Sequence, residues 1–290
     1  TDLKSKNYLH KYSYPQGSIL SVIGLLGVLF SSTVILALTL HKIRLARCKS
    51  LFIINVAVSD ILVSTIGFFR GLGIVDSKFV GAPNGIATLH CEVYTIFLEV
   101  LARSSILTLL PLTVDRAVAV ILPTRHPYII TKRTCLLMFA ANWLPILVAL
   151  LHDTVAFTLR SFTIEYSLEY HRCVVSEQYY EIVFYKEILL VFVPFFLLLS
   201  MYSSMIFFIA RRGQRCERFL VTATAIILTT LLSHTPTALV TVWNIHLRYE
   251  LSQILTVTLF YVNGIANPLI YFVFHLSLIH ISEPTRPERI

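Results

Sequence analysis

Apolar residues in this chain run in seven long blocks, near 18–41, 51–70, 88–121, 134–152, 182–210, 217–243 and 252–274, with short polar connectors between them. A helix needs about 20 mostly apolar residues to cross a bilayer. Each block therefore predicts one membrane-spanning helix, although the second and seventh carry polar interruptions. The expected fold is an all-α membrane protein, a seven-transmembrane helix bundle, with no room for a second, soluble domain. Composition agrees: 56% of residues are hydrophobic, 14% are charged, and the mean hydropathy is +0.74. A soluble domain carries about a quarter of its residues charged.

Charge sets the expected orientation. The connectors 41–50, 116–133 and 211–218 hold Lys42, Arg44, Arg47, Lys49, Arg116, Arg125, Lys132, Arg133, Arg211, Arg212, Arg215 and Arg218, half of the 24 Lys and Arg. The opposite connectors hold only Lys78, Arg160, Arg172 and Arg248, with Arg70 at a helix end. Basic loops stay cytoplasmic, so the N-terminus is expected outside. The net charge of +8 follows from this asymmetry and calls for no nucleic-acid partner. The same topology puts Cys91 and Cys173 on the outer side and Cys48, Cys135 and Cys216 on the inner side. Disulfides persist outside the cytosol, so a Cys91–Cys173 bridge is the expected pairing, against two free thiols. Residues 1–17 read as a partial extracellular N-terminus and 18–275 as the membrane domain. The tail 276–290 resembles a translated sequencing-library adapter and reads as non-native.

Several residues break the apolar blocks in a spaced pattern. Asn267, Pro268 and Tyr271 form an Asn-Pro-x-x-Tyr segment deep in the seventh block. A proline there frees a backbone carbonyl that lipid cannot satisfy, so polar partners must lie close by. Arg116, preceded by Asp115, lies 25 residues after Cys91. At 1.5 Å per residue that separation is about 37 Å, which takes the third block from one membrane face to the other. Asp60 sits mid-membrane in the second block, where an ionisable group is costly and marks function. Ser105 lies at comparable depth, and Asn263 and Asn267 share one face of the seventh block.

Together these residues resemble the signature of rhodopsin-like G-protein-coupled receptors over essentially all of 18–275. The resemblance implies an activation switch at Asp115, Arg116, Tyr202, Asn267, Pro268 and Tyr271, with kinks at Pro194 and Pro236 and a toggle at His234. Trp143 matches the family's fourth-span tryptophan. The resemblance further implies a sodium ion or water network at Asp60, Ser105, Asn263 and Asn267. A carboxylate with hydroxyl and amide oxygens suits a hard cation. The expected partners are an extracellular ligand, a heterotrimeric G protein and the lipid bilayer, in the plasma membrane. No cofactor is expected beyond that allosteric sodium, and no enzyme-like nucleophile–base spacing appears.

The chain departs from the family pattern at three places. Ser31 replaces the first-span asparagine, Ala117 the tyrosine after Asp115-Arg116, and His234 the sixth-span tryptophan. These changes bear on how firmly the inactive state is held and raise an expectation of basal signalling. In the outer halves, Leu98, Glu99, Arg103, Lys186, Glu187, His234 and Tyr261 are the candidate ligand pocket, with Trp243, Asn244 and Tyr185 above. Glu99 and Arg103 are spaced for a pair one turn apart. The charges read either as a mutually neutralising cluster or as a pocket for a peptide or small zwitterion, with a peptide favoured. Tyr261 occupies the opsin lysine position and Leu98 the amine-anchoring aspartate position, which disfavours a retinal or amine ligand. A seven-span transporter or channel, or a degenerate receptor that does not signal, is the competing reading.

Overall fold

The computed structural model describes the backbone at residues 2–40, 47–75, 86–159, 164–167, 172–212, 218–242 and 250–273, and side chains over most of these. Seven spans appear, forming the expected bundle. The first is Asp2–Leu40, the second Arg47–Val75, the third Ile86–Ile121 and the fourth Lys132–Thr158. The fifth runs Glu177–Glu187, a π-helical turn Ile188–Phe192, then Val193–Arg212; the sixth is Arg218–Val242 and the seventh Glu250–Tyr271. A four-residue helix, His126–Ile129, lies between the third and fourth spans. The predicted blocks fall inside these helices within a few residues. The first helix is the exception, starting at Asp2 well before the expected span at 18. Its 39 residues extend about 58 Å, longer than a bilayer core of about 30 Å.

Among the described residues, one element is not helical. Strands Ile164–Ser167 and Arg172–Val175 pair antiparallel, with Tyr166 opposite Cys173, and the first of them packs on the third span. Residues 276–290, Trp243 and Asn244, and the side chains of Leu98, Glu99, Cys91 and Cys173, for which the sequence sets expectations, lie outside the described residues.

Local chemistry explains the helix boundaries and bends. Thr131 caps the fourth span, its hydroxyl accepting from the Thr134 backbone N–H at 3.3 Å. Pro194 follows the π-helical turn directly. A proline ring clashes with the carbonyl four residues back, here Leu190, and the wider π turn relieves that clash. Pro111, Pro145, Pro236 and Pro268 also lie inside helices. Pro111 and Pro145 had not stood out as kink residues in the sequence.

Outward faces are leucine-rich, as at Leu25, Leu29 and Leu36 of the first span and Leu144, Leu147 and Leu151 of the fourth. Such apolar exposure suits a helix facing lipid rather than water. Inside, association depends on close backbone approach, which small residues allow. A Cβ built on Gly24 would stand 2.6 Å from the Ser64 carbonyl oxygen and 2.8 Å from Phe68 Cα, so the first two spans touch backbone to backbone. The largest core cluster, which includes Val34, Val56, Leu109, Leu198, Met205 and Ile226, draws six spans together. Tyr202 and Tyr271 belong to the same cluster.

Candidate functional site

At the basic end, the third span presents Asp115, fully buried, with two partners. Arg116 bonds one carboxylate oxygen, and His126 Nε2 stands 2.9 Å from the other. His126 comes from the short helix of the following connector, and the sequence had not marked it. Tyr202 of the fifth span and Tyr271 of the seventh are buried nearby. Arg116 lies within electrostatic reach of both hydroxyls, and Tyr202 within reach of Tyr271. Four of the predicted switch residues therefore converge, with Arg116 held by its neighbouring acid.

One layer deeper, Asn267 donates its amide N–H groups to both oxygens of Asp60, at 3.3 and 3.2 Å. Asn263 accepts from the Thr230 hydroxyl at 3.1 Å. Ser105 is buried on the third span, and its backbone carbonyl accepts from Thr108. These contacts bear on the expected sodium ion. A hard cation needs several converging oxygens. Asn267 offers Asp60 a donor rather than an oxygen, leaving its own Oδ1 buried without a partner, while the Asn263 oxygen is committed to Thr230. The arrangement is a hydrogen-bonded tie between the seventh and second spans. Ser31, at the family's asparagine position, is fully buried with an unpartnered hydroxyl.

Trp143 donates from Nε1 to Asn55 Oδ1 at 2.7 Å, tying the fourth span to the second. His234 is buried with Nδ1 2.9 Å from the Thr230 carbonyl and its ring edge-on to Phe260, centroids 4.9 Å apart. The imidazole thus packs against an aromatic ring while also tied to its own helix. Pro236 lies two residues further along that helix.

Toward the opposite end, the charges pair across spans. Arg103 of the third span bonds Glu187 of the fifth at 2.7 Å, and Lys186 bonds Asp153 of the fourth, which His152 also approaches at 3.2 Å. Consecutive residues of the fifth span thus grip two different helices just before the π-helical turn. The sequence had singled out Arg103, Lys186 and Glu187 but not Asp153, which falls one residue beyond the predicted fourth block. An acid within a membrane helix was the signal that could have found it. Tyr261 is fully buried against Gly67, Leu20 and Val63, filling the seam between the first, second and seventh spans. Tyr185, expected above the pocket, is 69% exposed on the fifth span. A correction concerns sulfur. Cys135, on the basic side and buried with Phe52 and Leu112, is disulfide-bonded, with its partner outside the described side chains.

Comparison with known proteins agrees with this geometry. Residues 31–271 match the family model described as 7 transmembrane receptor (rhodopsin family). The chain is 31% identical to an alpha-1A adrenergic receptor of Oryzias latipes over 129 residues, 44% of this chain and 26% of that one. It is 28% identical to a GQ-coupled rhodopsin of Mizuhopecten yessoensis over 135 residues, 46% and 26% of the two chains. It is 26% identical to the octopamine receptor beta-1R of Drosophila melanogaster over 127 residues, 43% and 24%. The chain spans about a quarter of the length of the curated relatives it matches. These relatives and the family are receptors rather than enzymes. With seven spans and a converged set at Arg116, Tyr202, Tyr271, Asp60 and Asn267, this chain is a multi-pass membrane protein belonging to the rhodopsin family of seven-transmembrane receptors.

Proposed function

We propose that this receptor sits in the plasma membrane with its N-terminus outside and passes the binding of an extracellular ligand to a heterotrimeric G protein. The observation that carries the reading is the closed Asp115–Arg116 pair with Tyr202 and Tyr271 in electrostatic reach. Releasing Arg116 from Asp115 toward the two tyrosines requires the helices around it to part, which makes a cavity at the basic end. The sixth span, hinged at Pro236, is the element to move. The ligand only shifts the balance between the two packings, by binding one of them better.

A peptide or small polar molecule is the favoured ligand, bound among the third, fifth, sixth and seventh spans. Two features support this. The Arg103–Glu187 and Lys186–Asp153 pairs offer both signs of charge, which a zwitterion or a peptide can engage by exchanging partners. The strands Ile164–Ser167 and Arg172–Val175, the first packed on the third span, form a two-stranded sheet, the kind of element that accepts an extended peptide by strand addition. A Cys91–Cys173 bridge, pinning that hairpin to the third span, belongs to the same proposal. The tests are nucleotide exchange on purified G proteins by membranes carrying the receptor, and a peptide-library screen. Basal or peptide-evoked exchange is expected and is lost in Arg116→Ala, and Asp60→Asn weakens the evoked part. A surface-expressed receptor that drives no exchange overturns the reading.

A further inference from the structure

Cys135 is buried and disulfide-bonded in the first turn of the fourth span, at the basic end of the bundle. Two contacts place its partner. Cys135 shares a buried cluster with Phe52 of the second span and Leu112 of the third. Cys48 lies four residues before Phe52, one turn earlier on the same helix face. Further along, Trp143 donates to Asn55 Oδ1 at 2.7 Å and so sets the register of the fourth span on the second. Both spans run in the same direction from the basic end. Cys48 precedes Asn55 by seven residues and Cys135 precedes Trp143 by eight, about 10 and 12 Å of helix. The register therefore brings the two cysteines to one level on neighbouring helices. A disulfide needs Cα atoms about 4–7 Å apart, which rules out the distant cysteines. Cys91 is 21 residues, about 32 Å, from Leu112 along the third span. Cys173 belongs to the strand beyond the far end of the fourth span, where Thr158 is 23 residues, about 35 Å, from Cys135. Cys216 lies in the connector after the fifth span, outside the described residues.

We propose that Cys48 and Cys135 form a reversible thiol–disulfide pair that pins the second span to the fourth and is set by the small-thiol couple of the cytosol. The proposal rests on the reading that the basic end faces the cytosol, where the disulfides that form are transient and sense redox state. Opening runs by thiol–disulfide exchange. A thiolate of reduced glutathione attacks the Cys48 sulfur, forms a mixed disulfide there and expels Cys135 as thiolate, which takes a proton. A second glutathione thiolate attacks the glutathione sulfur of that mixed disulfide, releases Cys48 and leaves as oxidised glutathione. Two electrons pass from two glutathiones to the bridge, and closing is the same sequence reversed. Attack falls on Cys48 because Cys135 is 1% exposed within its cluster. Closed, the bridge stabilises the fold by restricting the unfolded chain between positions 48 and 135.

For the test, the full chain purified in detergent is equilibrated across ratios of reduced to oxidised glutathione, blocked with N-ethylmaleimide, digested and mapped by mass without reduction. A linked Cys48–Cys135 peptide is expected in the oxidised range and is lost in the reduced range, and Cys216→Ser leaves it unchanged. Thermal unfolding is expected to give a higher Tm for oxidised than for reduced wild type, and no such difference in Cys48→Ser. A linkage of Cys135 to Cys216, a glutathione adduct without the bridge, a bridge that reduced glutathione does not open, or equal Tm values for the two forms overturns the proposal. Orientation is read separately, in intact cells whose glutathione has been oxidised with diamide. A phosphine reductant that does not cross membranes is expected to leave the bridge closed until the cells are permeabilised. Opening from outside overturns the cytoplasmic orientation and with it the cytosolic couple, whereas the Cys48–Cys135 pairing is decided by the mapping alone.

Discussion

Arg103 is only 3% exposed, and its guanidinium meets the Glu187 carboxylate at 2.7 Å, so the two charges face each other away from water. Removing one partner of a buried pair is far more costly than removing both, because the survivor stays buried without its counter-charge. Arg103→Ala is expected to destabilise the receptor by about 3 kcal/mol or more, and Arg103→Met with Glu187→Met by much less. Thermal unfolding of solubilised protein reads this; equal losses for the single and double variants would show that the pair contributes little. The charged residues themselves were legible as breaks in apolar blocks. The Arg103–Glu187 pairing was not, since its partners lie 84 positions apart, which no local spacing registers.

At the scale of helices, the seam between the second and seventh spans depends on one missing side chain. A Cβ on Gly67 would stand 2.5 Å from Tyr261 Cδ1 and 2.7 Å from Cε1. A buried ring wedged among Leu20, Val63 and Phe260 has little room to withdraw. Gly67→Ala is therefore expected to lower stability by about 1–3 kcal/mol. The loss is expected to shrink when Tyr261→Ala is added, and unfolding midpoints of the four proteins check both. If Gly67→Ala costs the same with and without the ring, the clash is not its cause. Helix positions were legible because hydropathy is a local property, averaged over a window of neighbours. The hairpin 164–175 lies in a connector that hydropathy does not describe, and the π-helical turn is a response to Pro194 that no apolar count registers.

For the molecule as a whole, the distribution of Lys and Arg predicts one orientation. An epitope placed before Thr1 is expected to be reached by antibody on intact cells. One placed in the 213–217 connector is expected to be reached only after permeabilisation. The reverse pattern would place the Arg116 end outside and remove the basis for a G-protein partner.

Seven membrane helices, their order and the polar residues that interrupt them followed from the sequence by itself. Lipid offers the backbone no hydrogen bonds, so each apolar block must close its own as a helix, and proline, aspartate and arginine within such blocks stand out whatever surrounds them. Which groups meet was decided only by the tertiary structure. The turn of each helix about its axis sets those meetings, and close contacts such as Gly24 on Ser64 and Phe68 fix that turn in three dimensions. That is how Asn267 came to face Asp60 with its N–H rather than its oxygen, Lys186 to find Asp153, and His126 to fold back from its connector onto Asp115.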